Sequence, residues 1–254
     1  MIANRSVLTD TGTLRDRVKH VLFSRRYAGE PTKTVLNAIA NLGSIAVFGG
    51  LLRDLSLDPP SPALSDIDLV IATDSPQLLG ERLDSLHPTR NRYGGYKVSQ
   101  GEWTFDIWPL GETWAFKNGL VPAGGFRDLI HTTFFNWDAI VFELLSETFY
   151  SLPNYFKDLN ARLLEINLEA TANPTGNAVR ALRLLRSRRA HWGPHLAHYM
   201  HAFLMTALER GPANVPPKYA EYIARSDVRD VFRALREHIS KDEWQVFSYS
   251  GDTS

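Results

Sequence analysis

The chain of 254 residues has no cysteine, no long apolar run and no net charge. The absence of cysteine excludes disulfides and thiolate metal sites, so a bound metal would need oxygen or imidazole ligands. No stretch approaches the roughly 18 consecutive apolar residues of a membrane-spanning helix. The first residues also lack the basic segment and apolar run of a signal peptide. We therefore expect a cytoplasmic protein with no membrane partner.

An excess of charge of one sign is also missing. Lys and Arg together number 28, and Asp and Glu together number 28. A chain without net charge exerts no long-range attraction on a polyanion. An RNA partner would therefore have to bind a local basic surface.

The hydrophobic pattern up to residue 152 changes repeatedly between helical and strand periods. In chain order it predicts helices over 13–27 and 31–42, a strand over 44–48, a short helix over 51–55, a strand over 66–72 after the loop "DPPSP", a helix over 76–86, a hairpin of "YKVSQ" and "WTFDIW" around Gly101, and two short strands within 137–150. These elements indicate a small mixed β-sheet with flanking helices.

The pattern after residue 152 is helical throughout. Helical periods with turn residues between them cover 155–170, 173–192, 195–210, 216–226 and 228–247. We therefore predict an α+β protein with two domains. The first covers 1–152, including N-terminal helices within 13–42, and the second is an all-helical domain over 153–254.

Three aspartates are candidates for a metal site. Residues two apart in a strand share a face, so Asp66 and Asp68 point the same way. Carboxylates this close repel one another unless a cation neutralises them. Asp106 lies between two apolar residues of the hairpin strand "WTFDIW". If that strand lies beside the strand of Asp66 and Asp68, three carboxylates converge on a hard-oxygen site suited to Mg²⁺.

Gly49 and Gly50 form a turn between the strand "SIAVF" and the short helix. A turn without side chains lets backbone N–H groups approach phosphate oxygens, and a helix start favours negative charge. Together with the aspartates, the turn predicts a nucleoside triphosphate with two Mg²⁺ ions, and a hydroxyl that attacks the α-phosphorus. Either signal alone is also common as a simple turn or a solvated strand edge.

In these segments the sequence resembles the nucleotidyltransferases of the DNA polymerase beta superfamily, within it the class II CCA-adding enzymes and bacterial poly(A) polymerases. "GGLLRD" and "DID" stand in the order of the family's Gly-Gly-x-x-Arg-Asp and Asp-x-Asp motifs. "TTFFNWDAI", "FKDLNARLLEI" and "NPTGNAVRALRLLR" are similar to later family segments. The resemblance covers about 45–192 and implies a nucleotidyltransferase head followed by a helical neck and body.

The resemblance also implies nucleotide-binding residues outside the carboxylates. The residues it assigns are Arg53, His131, Thr132, Asn136, Asn177, Arg180 and Arg183. For Arg53 a structural pairing with helix partners is the alternative to contact with the triphosphate. His131 and Thr132 stand where the family has residues that hold the ribose. Asn177 replaces the Asp that, with the Arg at position 180, reads the base, so the base preference should differ.

Other polar residues have weaker support. Arg186 continues the row of Arg180 and Arg183 on one predicted helix, which indicates either an RNA-binding surface or a solvated face. Arg90, Arg92, Lys97 and Lys117 lie near Asp106 in sequence and are further candidates. His191, His195, His198 and His201 have spacings that zinc accepts, but no carboxylate nearby completes a site, and we favour an ordinary helix surface.

The predicted function is Mg²⁺-dependent transfer of a nucleoside monophosphate from an NTP to a hydroxyl acceptor, with release of pyrophosphate. The expected acceptor is an RNA 3′ end, plausibly that of tRNA. One alternative is a small-molecule nucleotidyltransferase of the antibiotic-modifying type, which the neutral charge favours mildly. The other is a non-catalytic module that binds a nucleotide or a partner protein, which three clustered carboxylates argue against.

Overall fold

The computed structural model describes residues 6–8, 10–58, 66–91, 93–209, 215–241 and 244–249. Most of the predicted loop "DPPSP" and the candidate Arg92 lie outside these residues. The chain forms two compact units. The first consists of Met1–Thr133 and Trp137–Lys157, and the second of Phe134–Asn136 and Asp158–Ser254.

The first unit contains nine strands and five helices in its described part. In chain order these are β1 (Ser6–Val7), α1 (Thr11–Phe23), α2 (Gly29–Ala38), β2 (Ser44–Phe48), α3 (Gly50–Ser56), β3 (Leu57–Asp58), β4 (Ile67–Ala72), α4 (Leu78–Leu83), β5 (Thr89–Arg90), β6 (Tyr96–Gln100), β7 (Trp103–Pro109), α5 (Trp114–Lys117), β8 (Ile140–Glu143) and β9 (Thr148–Ser151). Short 3₁₀ helices cover Asp84–Leu86, Leu110–Glu112 and Phe126–His131.

A seven-stranded mixed sheet organises this unit, in the order β5-β6-β7-β4-β2-β8-β9. Only the central pair β4 and β7 is parallel among these neighbours, and all the other pairs are antiparallel. β1 and β3 form a separate antiparallel pair. The hairpin strand of Asp106 therefore lies directly beside the strand of Asp68, as the sequence analysis required for a shared site.

The sheet and α1 bury the apolar residues that their periods predict. Ile67, Leu69 and Ile71 alternate along β4 and are all 0% exposed. α1 buries Leu14, Val18, Val21 and Leu22, which have the spacing of one helical face. Each such side chain stabilises the fold by roughly 1.5–3 kcal/mol relative to an exposed one. The apolar face of β4 fixes its register, so its polar residues must face the opposite side.

The second unit is largely helical. After α6 (Tyr155–Asn160), which crosses the boundary between the units, it contains β10 (Leu163–Leu164), α7 (Pro174–Ser187), β11 (His191–Trp192), α8 (Pro194–Glu209), α9 (Pro217–Ala224) and α10 (Ser226–Ser240). α10 buries Val228, Val231, Phe232 and Leu235, which have the spacing of one helical face. None of the helices in the described ranges has the length and apolar character needed to cross a membrane.

The prediction of a single helix over 155–170 is wrong after Asn160. Leu163 and Leu164 pair in parallel with His191 and Trp192, and Ile166 bridges Phe135. These partners are distant in sequence, and they supply the backbone hydrogen bonds that a helix would otherwise make. Local helical period could not reveal them.

Candidate functional site

A row of polar side chains crosses the sheet. Asp68 in β4 is the direct partner of Asp106 in β7, and Asp106 is in turn the direct partner of Lys97 in β6. Directly opposed residues in a sheet project from the same face. Asp66 lies two residues before Asp68, so its side chain projects from the same face. Asp66, Asp68 and Asp106 thus lie on the same face of the sheet.

Lys97 joins two of these carboxylates. Its Nζ atom donates to Asp66 Oδ2 at 3.1 Å and lies 3.2 Å from Asp106 Oδ2. Among the described residues, no group of three or more His, Cys, Asp or Glu side chains is placed to hold a metal ion. The ammonium group of Lys97 is therefore the positive charge that contacts both Asp66 and Asp106.

The electrostatics of the row follow from partial burial. Burial raises the pKa of Asp106, Lys97 lowers it in part, and the charge of Asp66 raises it further. Burial alone would lower the pKa of Lys97, but its hydrogen bond with Asp66 and its attraction to Asp106 outweigh that effect and raise its pKa. The raised pKa of Asp106 thus comes chiefly from its burial, and the raised pKa of Lys97 comes from its two carboxylate neighbours.

The residues of this row fit a divalent cation by their chemistry. Carboxylate oxygens are the ligands that Mg²⁺ prefers. The charge of such an ion would also offset the effect of burial, which raises the pKa of Asp106. Asp66, Asp68 and Asp106 are the residues that would hold the ion, provided that Lys97 yields its contacts.

The glycine turn lies beside this row. Gly49 has φ 74° and ψ −124° and immediately precedes α3, a conformation that essentially only glycine adopts. A Cβ atom on Gly49 would lie 3.9 Å from Asp68 Oδ2. The Gly49 N–H already donates to the Ile140 carbonyl at 3.0 Å. Gly50 begins α3, so its N–H is one of the first-turn groups without an intrahelical acceptor.

Arg53 lies inside the first unit and is only 7% exposed. Its Nη1 atom donates to Asp138 Oδ1 at 2.6 Å, while Nε and Nη2 donate to Asp54 Oδ1 at 3.2 and 3.1 Å. Burial alone would lower the pKa of Arg53, but Asp138 and Asp54 together raise it. These contacts correspond to the structural alternative considered for Arg53 in the sequence analysis. Sequence analysis missed Asp138, whose partner is 85 positions away.

Four of the predicted nucleotide-binding residues belong to the second unit: Asn136, Asn177, Arg180 and Arg183. Asn136 is 6% exposed, and its side chain forms hydrogen bonds with the segment around β10. Its Nδ2 donates to the Leu163 carbonyl at 3.0 Å and to Asp158 Oδ2 at 3.3 Å, and its Oδ1 accepts from the Glu165 N–H at 2.9 Å. Asn136 therefore holds the segment that contains β10 against residues 134–136 through these hydrogen bonds.

The arginines of α7 contact partners within the second unit. The Arg180 guanidinium lies 5.8 Å from the Phe135 ring centroid, and that of Arg183 lies 5.2 Å from the Tyr222 ring centroid. Arg186 forms an ion pair with Asp227. Asn177 Nδ2 donates to Thr171 Oγ1 at 2.8 Å. Of the three arginines, Arg183 is the exposed one.

The remaining candidates to be placed are His131, Thr132 and three of the histidines in the second unit. His131 is exposed at the end of a 3₁₀ helix, and Thr132 Oγ1 donates to the Leu129 carbonyl at 2.7 Å. Among the histidines of the second unit, His195 and His198 contact the Trp244 ring, and His191 Nδ1 lies 2.9 Å from Ser248 Oγ. The three histidines thus contact the segment after α10.

Comparison with known proteins supports the fold. No protein-family model and no curated protein matches this chain, but solved structures do. The CCA-adding enzyme of Thermotoga maritima in complex with tRNA aligns with a TM-score of 0.59 at 14% identity, over 93% of this chain and 56% of that chain. A CCA-adding enzyme with CTP aligns with a TM-score of 0.54 at 14% identity, over 82% and 49%.

A third structure is a tRNA nucleotidyltransferase complexed with a primer tRNA and an incoming ATP analog. It aligns with a TM-score of 0.53 at 14% identity, over 83% of this chain and 62% of that chain. The chain thus spans between 49% and 62% of the length of these three proteins. Together with the seven-stranded sheet, these alignments show that the chain has the fold of the CCA-adding enzymes and tRNA nucleotidyltransferases.

Proposed function

We propose that this protein is a Mg²⁺-dependent nucleotidyltransferase that transfers a nucleoside monophosphate from an NTP to an RNA 3′ end, with tRNA as the first candidate. The observation that carries the proposal is the direct pairing of Asp68 with Asp106 on neighbouring parallel strands, beside the Gly49 turn. The similar structures that contain CTP, an ATP analog or tRNA support the choice of substrates.

The proposed reaction is a displacement at the α-phosphorus. The acceptor hydroxyl oxygen forms a bond to that phosphorus, the bond to the bridging oxygen breaks, and pyrophosphate leaves. The hydroxyl proton passes to the Asp106 carboxylate. Mg²⁺ ions, when bound by Asp66, Asp68 and Asp106, lower the pKa of the nucleophile and stabilise the charge on pyrophosphate.

Other residues are assigned supporting roles. The first N–H groups of α3, beginning at Gly50, face the negative charge of the triphosphate, and Arg53 keeps α3 in place through Asp138. Within the second unit, considered by itself, Asn177 and Arg180 are the residues proposed to contact a base, and Arg183 is proposed to contact an RNA backbone. Asn177 offers both a donor and an acceptor, so this protein should select bases differently from an enzyme with an Asp there.

Product analysis tests this function. The protein is incubated with each α-labelled NTP in turn, Mg²⁺ and total RNA that still contains small metabolites, and the products are resolved by size. We expect label on RNA of tRNA length, and equimolar pyrophosphate. Label only on small molecules would instead identify the antibiotic-type alternative. Binding of NTP without any labelled product would identify the non-catalytic module.

A further inference from the structure

The position of Lys97 follows from the hairpin register and not only from its side-chain conformation. Gln100 pairs with Trp103 across the turn, and this register makes Lys97 the direct partner of Asp106. Every conformation of the Lys97 side chain therefore starts from the face that carries the carboxylates. The register therefore places the backbone of Lys97 directly beside that of Asp106.

The contacts of Lys97 use the oxygens that a metal ion would need. One ammonium group satisfies Asp66 Oδ2 and Asp106 Oδ2, which belong to two different segments of the sheet. A lone pair that accepts a hydrogen bond from an ammonium is not free for a metal, and two cations at this separation repel. The side chain of Lys97 is 45% exposed, so it has open space into which it can move.

We propose that Lys97 is a resident cation of the carboxylate site that competes with divalent metal for Asp66 and Asp106. The proposal rests on the metal site of the proposed function. Without metal, Lys97 neutralises the carboxylates and limits their repulsion. A divalent ion gains these two carboxylates only when the ammonium leaves, and the exchange weakens the affinity of the site for metal.

Direct metal binding tests this proposal without reference to activity. The free Mn²⁺ in a titration of the full chain is measured by electron paramagnetic resonance, in the absence of nucleotide. Lys97→Met removes the charge and keeps the aliphatic stem, whereas Lys97→Arg keeps the charge. Lys19→Met is the matched control, because Lys19 is 46% exposed and also pairs with a carboxylate, that of Glu147.

We expect K97M to bind Mn²⁺ about tenfold more tightly than the wild type, as the loss of two partly exposed ion pairs suggests. K97R and K19M should bind Mn²⁺ with wild-type affinity. Circular dichroism of each variant establishes that the sheet is retained. If K97M loses the sheet, Lys97→Gln replaces it in the titration. K97Q should then bind Mn²⁺ more tightly than the wild type.

The possible failures are distinguishable. The first failure concerns Lys97 alone. In that case the wild type binds Mn²⁺, D68N/D106N does not, and K97M binds Mn²⁺ no more tightly than the wild type. That result would refute competition by Lys97 and leave the proposed function standing. If neither the wild type nor K97M binds Mn²⁺, the metal site itself is refuted together with the role of Lys97. If K97M binds Mn²⁺ and the wild type does not, the proposal is supported, because Lys97 then prevents metal binding in the wild type.

Discussion

Arg53 brings a guanidinium into the interior of the first unit, where Asp54 and Asp138 are its partners. All three residues are at most 7% exposed. A buried ion pair contributes little net stability compared with apolar residues of the same shape, but removal of one partner leaves an uncompensated charge. The cluster is therefore sensitive to a single change, and it connects α3 with the residues just before β8.

We predict that Arg53→Met lowers the free energy of unfolding by about 3–5 kcal/mol, because it leaves Asp54 and Asp138 buried without their cation. Chemical denaturation at neutral pH measures this loss. Asp138→Asn combined with Arg53→Met should lose less than the sum of the two single changes. K19M, in an exposed pair, should leave the denaturation midpoint nearly unchanged. A midpoint of R53M equal to that of the wild type would contradict this description of the cluster.

At the scale of elements, the turn before α3 depends on the backbone freedom of Gly49. Its φ of 74° with ψ of −124° is strained for any residue with a side chain. An added Cβ would not collide with its neighbours, since the nearest atoms would lie 3.9 Å away, at ordinary van der Waals distance. Backbone strain and not collision therefore decides the effect of a substitution.

We predict that Gly49→Ala destabilises the protein by about 1–3 kcal/mol and moves α3 relative to Asp68. Gly111→Ala is the control, because nothing lies within 4 Å of an added Cβ there and its φ is not positive. Thermal unfolding of both variants gives the comparison. Equal melting temperatures for G49A and the wild type would show that the turn can adopt another conformation at no cost.

Much of the first unit could be predicted from local pattern. The alternation of Ile67, Leu69 and Ile71 fixed the faces of β4, and the two-residue turn at Gly101 set the register of the hairpin. The pairing of Lys97 with Asp106 could have been predicted from that register. The partner of Arg53 and the strand over Leu163–Leu164 could not, because both depend on residues far away in sequence.

At the scale of the whole molecule, the balance of 28 basic and 28 acidic residues determines how RNA could be bound. Affinity must come from a few local cations, since no net charge attracts the polyanion. Each phosphate contact releases about one counterion, so the salt dependence counts these contacts.

We predict a slope of log affinity against log salt of about −2 to −4 for tRNA, and a slope smaller by about one unit in Arg183→Ala. Arg233→Ala is the matched control on α10, where Arg233 is exposed and pairs with Asp230. Fluorescence anisotropy with labelled tRNA at several salt concentrations gives the slopes. An unchanged slope in R183A would exclude Arg183 from the RNA-binding surface.

The account as a whole depends on transfer chemistry at the paired carboxylates of β4 and β7. The most direct measurement compares NMP transfer from labelled NTP to tRNA by the wild type, by D68N/D106N and by D74N, in which an exposed Asp beyond the other end of β4 is changed. We predict that D74N matches the wild type and that D68N/D106N, still folded, loses about 10³-fold in rate, because it lacks both the proposed general base and two proposed metal ligands. Transfer by folded D68N/D106N at the wild-type rate would contradict the account.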